Sequence, residues 1–158
     1  MEIETSIPCN KEISEITLCY KSKLRAEEAP TVNSSYSAYK QLLKYWNMDT
    51  IELREEFKII LLNTKLKAIG LIDISVGGLD AAFVDIRIIF AAALKCRATS
   101  IILAHNHPSL DTKPSAADLK LTNDIVNAGK LLRITVFDHL IITPKTYYSM
   151  ADNGVLHF

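Results

Sequence analysis

Between Phe57 and Ile142, short apolar runs alternate with helical stretches, and this alternation limits the possible folds more than any other feature. Phe57 to Asn63 is almost unbroken Ile and Leu around one lysine, as expected of a strand buried on both faces. Lys67 to Val76 reads as its neighbour, closed by a turn at Gly77 and Gly78. Asp85 to Cys96 opens on an acid and becomes Ala-rich, which suits a helix with a negative charge at its N-terminus. Ser100 to Ala104 is a third apolar strand, ending just before His105. A helix from Ser115 to about Ala128 follows, with Gly129 expected to stop it at the position after its cap. Leu132 to Phe137 and His139 to Ile142 supply two further strands. Strands interleaved with helices predict an α/β sandwich around one central sheet.

Upstream of this series, Ile13 to Tyr20 is strand-like and Ala26 to Pro30 reads as a connector. A helix is expected from Ser34 or Ser35, through Tyr39, Leu42, Leu43 and Trp46 at helical spacing. The organisation is therefore an N-terminal extension over residues 1–30 and one domain over residues 31–158. The 158 residues suffice to bury roughly two-thirds of the unfolded surface in a single core.

Charge excludes some functions. Lysine plus arginine and aspartate plus glutamate number 18 each, so nothing favours non-specific attachment to nucleic acid or to an anionic membrane. No apolar run approaches the roughly 20 residues that cross a bilayer. Met1 to Thr5 is acidic, unlike the start of a secretory signal. The three cysteines, Cys9, Cys19 and Cys96, form no C-x-x-C pair, which suits reduced thiols. The expectation is a soluble, cytoplasmic protein.

The chemistry concentrates between Ala104 and Asp118. In extended chain, residues i and i+2 point the same way, so His105 and His107 can present both imidazoles to one point. Pro108 discourages a helix across the pair. The chain then returns through a Pro-containing loop to Ser115, which opens a helix carrying Asp118 in its first turn. Two imidazoles and a carboxylate make a three-ligand zinc set that leaves a fourth position open, as catalytic zinc sites do. A base is still needed, and Glu55 and Glu56 immediately precede the strongest strand. Taken alone, Ser115-x-x-Asp118 reads as a capping box, and it is the histidine pair upstream that turns Asp118 towards a ligand role. His139 has two readings, a satisfied histidine near the core or a partner that orients a ligand. Asp73, Asp80 and Asp85 read as turn or cap residues.

His105-x-His107-Pro108 followed by Ser115-x-x-Asp118 resembles the JAMM motif of the JAB/MPN metallopeptidases. More narrowly, His105-Asn106-His107-Pro108-Ser109, Pro114 to Asp118 and Asp138-His139-Leu140-Ile141 resemble the bacterial RadC family, over about two-thirds of the chain. The resemblance implies a three-layer, cytidine-deaminase-like (JAB/MPN) fold with a central mixed sheet. It also implies one Zn2+ held by His105, His107 and Asp118. Arg54-Glu55-Glu56-Phe57 matches the run that carries the family's general acid/base, which selects Glu55. Ser115 would then help to stabilise the oxyanion. Leu110 stands where the family commonly has glycine, and the stretch of about fifty residues before the resemblance begins near Leu53 shows no helix-hairpin-helix repeat. The implied function is zinc-dependent hydrolysis of an amide bond in a peptide or protein. The alternatives are a DNA-repair-associated accessory role and a non-catalytic binding module on the same fold. A nucleobase deaminase would need His-x-Glu and Pro-Cys-x-x-Cys, and no cysteine follows the histidines.

Overall fold

The computed structural model describes residues 13, 17, 19–21, 27–77 and 83–156. The strand expected from Ile13 to Tyr20 falls largely outside these residues, as do Gly78 and Asp80.

Helix α1 (Ser35–Tyr45) starts where the serines indicated. Ser34 is its N-cap, and a reciprocal capping box with Ser37 satisfies the first free amides. Strand β1 (Glu56–Leu62) is buried along its whole length. Strand β2 (Ala68–Val76) pairs with it antiparallel. Helix α2 (Ile86–Lys95) is capped by Asp85, whose carboxylate accepts from the Arg87 amide. Strand β3 (Ser100–Asn106) runs two residues further than expected and so takes in His105. Helix α3 (Ala116–Leu132) is capped by Ser115. Strands β4 (Thr135–Ile142) and β5 (Tyr147–Ser149) complete the sheet.

The sheet order is β2-β1-β3-β4-β5, with β3 and β4 parallel and the other pairs antiparallel. Helix α1 covers one face, where Ala38, Tyr39, Leu42 and Trp46 pack on Ile60, Leu62, Ile102, Leu140 and Ile142. Helices α2 and α3 cover the other, where Ile89, Phe90, Ala93, Ile125 and Val126 meet Phe57, Ile59, Leu61, Ile101 and Leu103. This is the three-layer α/β sandwich with a central mixed sheet. No described helix is long and apolar enough to cross a membrane.

Two expectations are corrected. Helix α3 does not stop at Gly129 but continues to Leu132, and Arg133 takes the left-handed cap at φ 55°. Gly129 serves packing instead: a Cβ there would lie 2.5 Å from the carbonyl oxygen of Ile134, so the glycine lets the chain turn tightly from α3 into β4. The two strands expected from Leu132 to Ile142 are one, β4, with an extra residue near Phe137. Ile101 pairs with Val136 but Ile102 pairs with Asp138, so strict alternation from Val136 would assign the wrong face to His139. The bulge brings His139 beside Leu103, on the face of α2 and α3.

Candidate metal centre

Three elements converge at the C-terminal end of β3. His105 is its penultimate residue, paired across the sheet with Phe57 of β1. His107 follows the strand, and Asp118 lies in the first turn of α3. Each offers one ligand atom, and these atoms all lie within 4.8 Å of one another. His105 Nε2 is 2.9 Å from His107 Nε2 and 3.3 Å from Asp118 Oδ1, and His107 Nε2 is 3.4 Å from Asp118 Oδ2. His105 is buried, whereas His107 and Asp118 are half-buried, so the cluster has an anchored inner member and an accessible outer side.

The supports are specific. The ring of Phe57 lies nearly parallel to that of His105, with centroids 6.1 Å apart. The other nitrogen of His107 is 2.7 Å from the Asp111 carbonyl oxygen, so Nδ1 donates and Nε2 is left as an acceptor. A turn closed by Leu110 N–H on the His107 carbonyl holds this loop. Leu110 itself has φ 62°, the left-handed region that a glycine adopts without strain. Ser115 both caps α3 and donates its hydroxyl to Asp118 Oδ2 at 2.6 Å. The capping and site readings of the Ser115–Asp118 pair thus describe the same atoms.

Electrostatics follow from this packing. Burial opposes ionisation of Asp118, but its close contacts with the His105 and His107 rings and the hydrogen bond from Ser115 outweigh it and hold the carboxyl far below the usual range. His107 is pushed above the ordinary histidine value by its contact with Asp118, against the effect of burial, with smaller help from the Asp111 carbonyl and the charge of Glu55.

The two candidate bases separate cleanly. Glu56 is buried on the α1 side, where it pairs with Lys58 at 3.0 Å and Arg54 at 3.1 Å and accepts from Thr50. Glu55 is half-buried, and its charge is felt by His107. The carbonyl of Glu55 accepts from Gly77 N–H, which extends the ladder to β2. Asn106, which the sequence reading passed over, sets this position. Its side chain accepts from Glu56 N–H and donates to the carbonyls of Ile51 and Arg54, at 2.8, 2.6 and 2.9 Å. One amide thereby ties the segment before β1 to the end of β3. Its signal was its place between the two histidines, where strand alternation must send it to the opposite face.

His139 is fully buried, and its Nε2 lies 2.8 Å from His105 Nδ1. Burial, aided by the nearby His105, lowers its pKa well below the ordinary value. Both of its readings hold: the ring is fully buried with a partner on each nitrogen, and one of those partners is His105 of the cluster. Thr122 of α3, unmarked in sequence, sits 2.6 Å from His139 Nδ1.

Comparison with known proteins gives a concordant result. The profile of the RadC-like JAB domain family matches residues 32–155. A UPF0758 protein of Alkaliphilus metalliredigens is 46% identical over 103 residues, covering 65% of this chain and 44% of the relative. A UPF0758 protein of Flavobacterium johnsoniae is 44% identical over 101 residues, covering 64% and 44%. One from Caldanaerobacter subterraneus is 43% identical over 105 residues, covering 66% and 45%. The chain thus spans less than half the length of these curated relatives.

Proposed function

This chain belongs to the RadC-like JAB domain family, and from that premise we propose that it is a zinc-dependent hydrolase of amide bonds in a peptide or protein. The observation that carries the reading is the meeting of His105, His107 and Asp118 ligand atoms within 4.8 Å at the end of β3. The donor set fits the metal. Two imidazole nitrogens and one carboxylate oxygen are ordinary zinc ligands, and three of them leave one tetrahedral position for chemistry.

When bound, zinc supplies a Lewis acid that acidifies water towards neutrality and polarises a carbonyl. His105, His107 and Asp118 hold the ion at the accessible mouth of the α3 face. Glu55, close enough for its charge to act on His107, takes the proton from the attacking water and returns it to the leaving amine. Ser115 holds Asp118 through its hydroxyl; serving a developing oxyanion, worth about 3 kcal/mol for one well-placed donor, requires that hydroxyl to turn away from Asp118 Oδ2. Phe57 and the buried His105 limit water behind the site.

The test is elemental analysis of the zinc-loaded chain, followed by a peptidase and isopeptidase screen of wild type against Glu55→Gln. One zinc per chain in both, with hydrolysis only in wild type, is the expected result. Wild type without bound zinc, or equal turnover by Glu55→Gln, sinks the reading.

A further inference from the structure

We propose that Thr122 and His139 act as a positioning relay that keeps the proton of His105 on Nδ1, so that Nε2 faces the ligand cluster as a lone pair. The relay builds on the metal-site reading above. Its geometry is fixed by successive hydrogen bonds, each of which decides the next.

Thr122 Oγ1 lies 2.6 Å from the main-chain carbonyl oxygen of Asp118. A carbonyl only accepts, so the single hydroxyl proton is committed there. Oγ1 also lies 2.6 Å from His139 Nδ1 and must therefore accept from it. The remaining neighbour, Met150 Sδ at 3.6 Å, is a weak acceptor and does not compete. A neutral imidazole carries one N–H. With that hydrogen on Nδ1, His139 Nε2 is an acceptor, and the atom 2.8 Å away, His105 Nδ1, must donate. His105 Nε2 is then left as a lone pair, 2.9 Å from His107 Nε2 and 3.3 Å from Asp118 Oδ1.

Reversing one hydroxyl reverses everything downstream. If Thr122 donated to His139, the His139 proton would move to Nε2, His105 Nδ1 would accept, and the His105 proton would sit on Nε2, facing the metal. The His139 ring cannot drift between these states by moving. It is fully buried, its amide donates to Asp138, and its carbonyl accepts from Met150 N–H at 3.0 Å. The ring of Phe57 meets it edge-on at 5.4 Å. The Thr122 hydroxyl also bonds to the main chain of Asp118, so one threonine orients a histidine ligand and braces the turn that presents the carboxylate.

The experiment uses the full chain without metal. Two-bond 1H–15N correlations of the imidazoles, recorded above neutral pH, report which nitrogen of each ring carries hydrogen. Wild type and Thr122→Ser are expected to show Nδ1–H on both His105 and His139. Thr122→Val, which keeps the shape and removes the hydroxyl, is expected to move hydrogen to Nε2 on both rings. Its zinc affinity, measured by chelator competition, should fall about 10- to 100-fold. Nε2–H on either ring in wild type overturns the relay, as does an unchanged tautomer pattern in folded Thr122→Val. If Thr122→Val does not fold, the wild-type pattern decides alone. Wild type with the expected tautomers but no zinc affinity would refute the metal reading and leave the relay standing.

Discussion

Glu56 and His105 lie on opposite faces of the same sheet, and the two polar clusters to which they belong are built on opposite rules. On the α1 face, Glu56 meets Lys58, Arg54 and Thr50, and Lys58 also reaches Asp73 and lies 4.9 Å over the ring of Trp46. Every charge there has an opposite charge beside it. On the α3 face, His105, His107 and Asp118 bring acceptor atoms together, and among the described residues no lysine or arginine pairs with Asp118. A cluster that closes itself is scaffold. A cluster whose ligand atoms share a focus with no lysine or arginine among them is compatible with a cation from outside.

Substitutions can break this contrast, the largest effect being His107→Ala. Zinc content should drop to background and hydrolysis should vanish while the fold persists, since His107 is at the accessible edge; elemental analysis and a melting curve check both. Retention of full zinc would erase the distinction between the faces. Next is Asn106→Ala, which strips three hydrogen bonds from the bridge between the clusters. At about 1 kcal/mol each, roughly 3 kcal/mol of stability should be lost in urea titration, together with turnover but not zinc stoichiometry.

Glu56→Gln comes third, at about 2 kcal/mol, below the usual cost of breaking a buried pair because Lys58 keeps Asp73. Zinc binding should be untouched. Burial raises the Glu56 pKa, but hydrogen bonds from Lys58 and Arg54 and the charge of Lys58 outweigh it, leaving the carboxyl below its ordinary 4.5. Such a group stabilises the fold above the unfolded value, and its contribution is lost as pH falls through the depressed folded value. Stability of wild type should therefore decline more steeply than that of Glu56→Gln as pH drops below about 4.5. Parallel slopes would show that the cluster contributes nothing electrostatic. The smallest effect is Leu110→Gly. Relief of a left-handed leucine, worth about 1 kcal/mol, is offset in part by glycine's freedom when unfolded. A gain of about 0.5 kcal/mol with unchanged zinc affinity is expected, read from the urea midpoint.

Much of this was legible before any coordinates. Strand β1 and helices α1 and α2 follow from apolar runs, serine caps and an acidic start, because those signals are local. The histidine pair and Asp118 were legible for the same reason, being fixed by strand alternation and a helix start close by in sequence. What stayed hidden depends on distant partners. The sheet order, the small strand β5 and the passage of α3 through Gly129 are decided by what packs against them. Thr122 looked like any helical threonine, since its meaning lies in an imidazole 17 residues away. Choosing Glu55 over Glu56 required the resemblance, because their local sequence is nearly the same; what the sequence could not show is that Glu56 is buried in an ion cluster with Lys58 and Arg54.

The extra residue in β4 has a consequence for chain length. Phe137 is partly exposed and has no counterpart in β3, so it is a spare link. Deleting it would let Val136 and Asp138 follow one another in phase with Ile101 and Ile102, and His139 would still arrive beside Leu103. Removing one residue between His139 and Ile142 would instead swap inside for outside through the rest of the strand. Tolerance to indels should therefore change sharply within a few positions of a single strand.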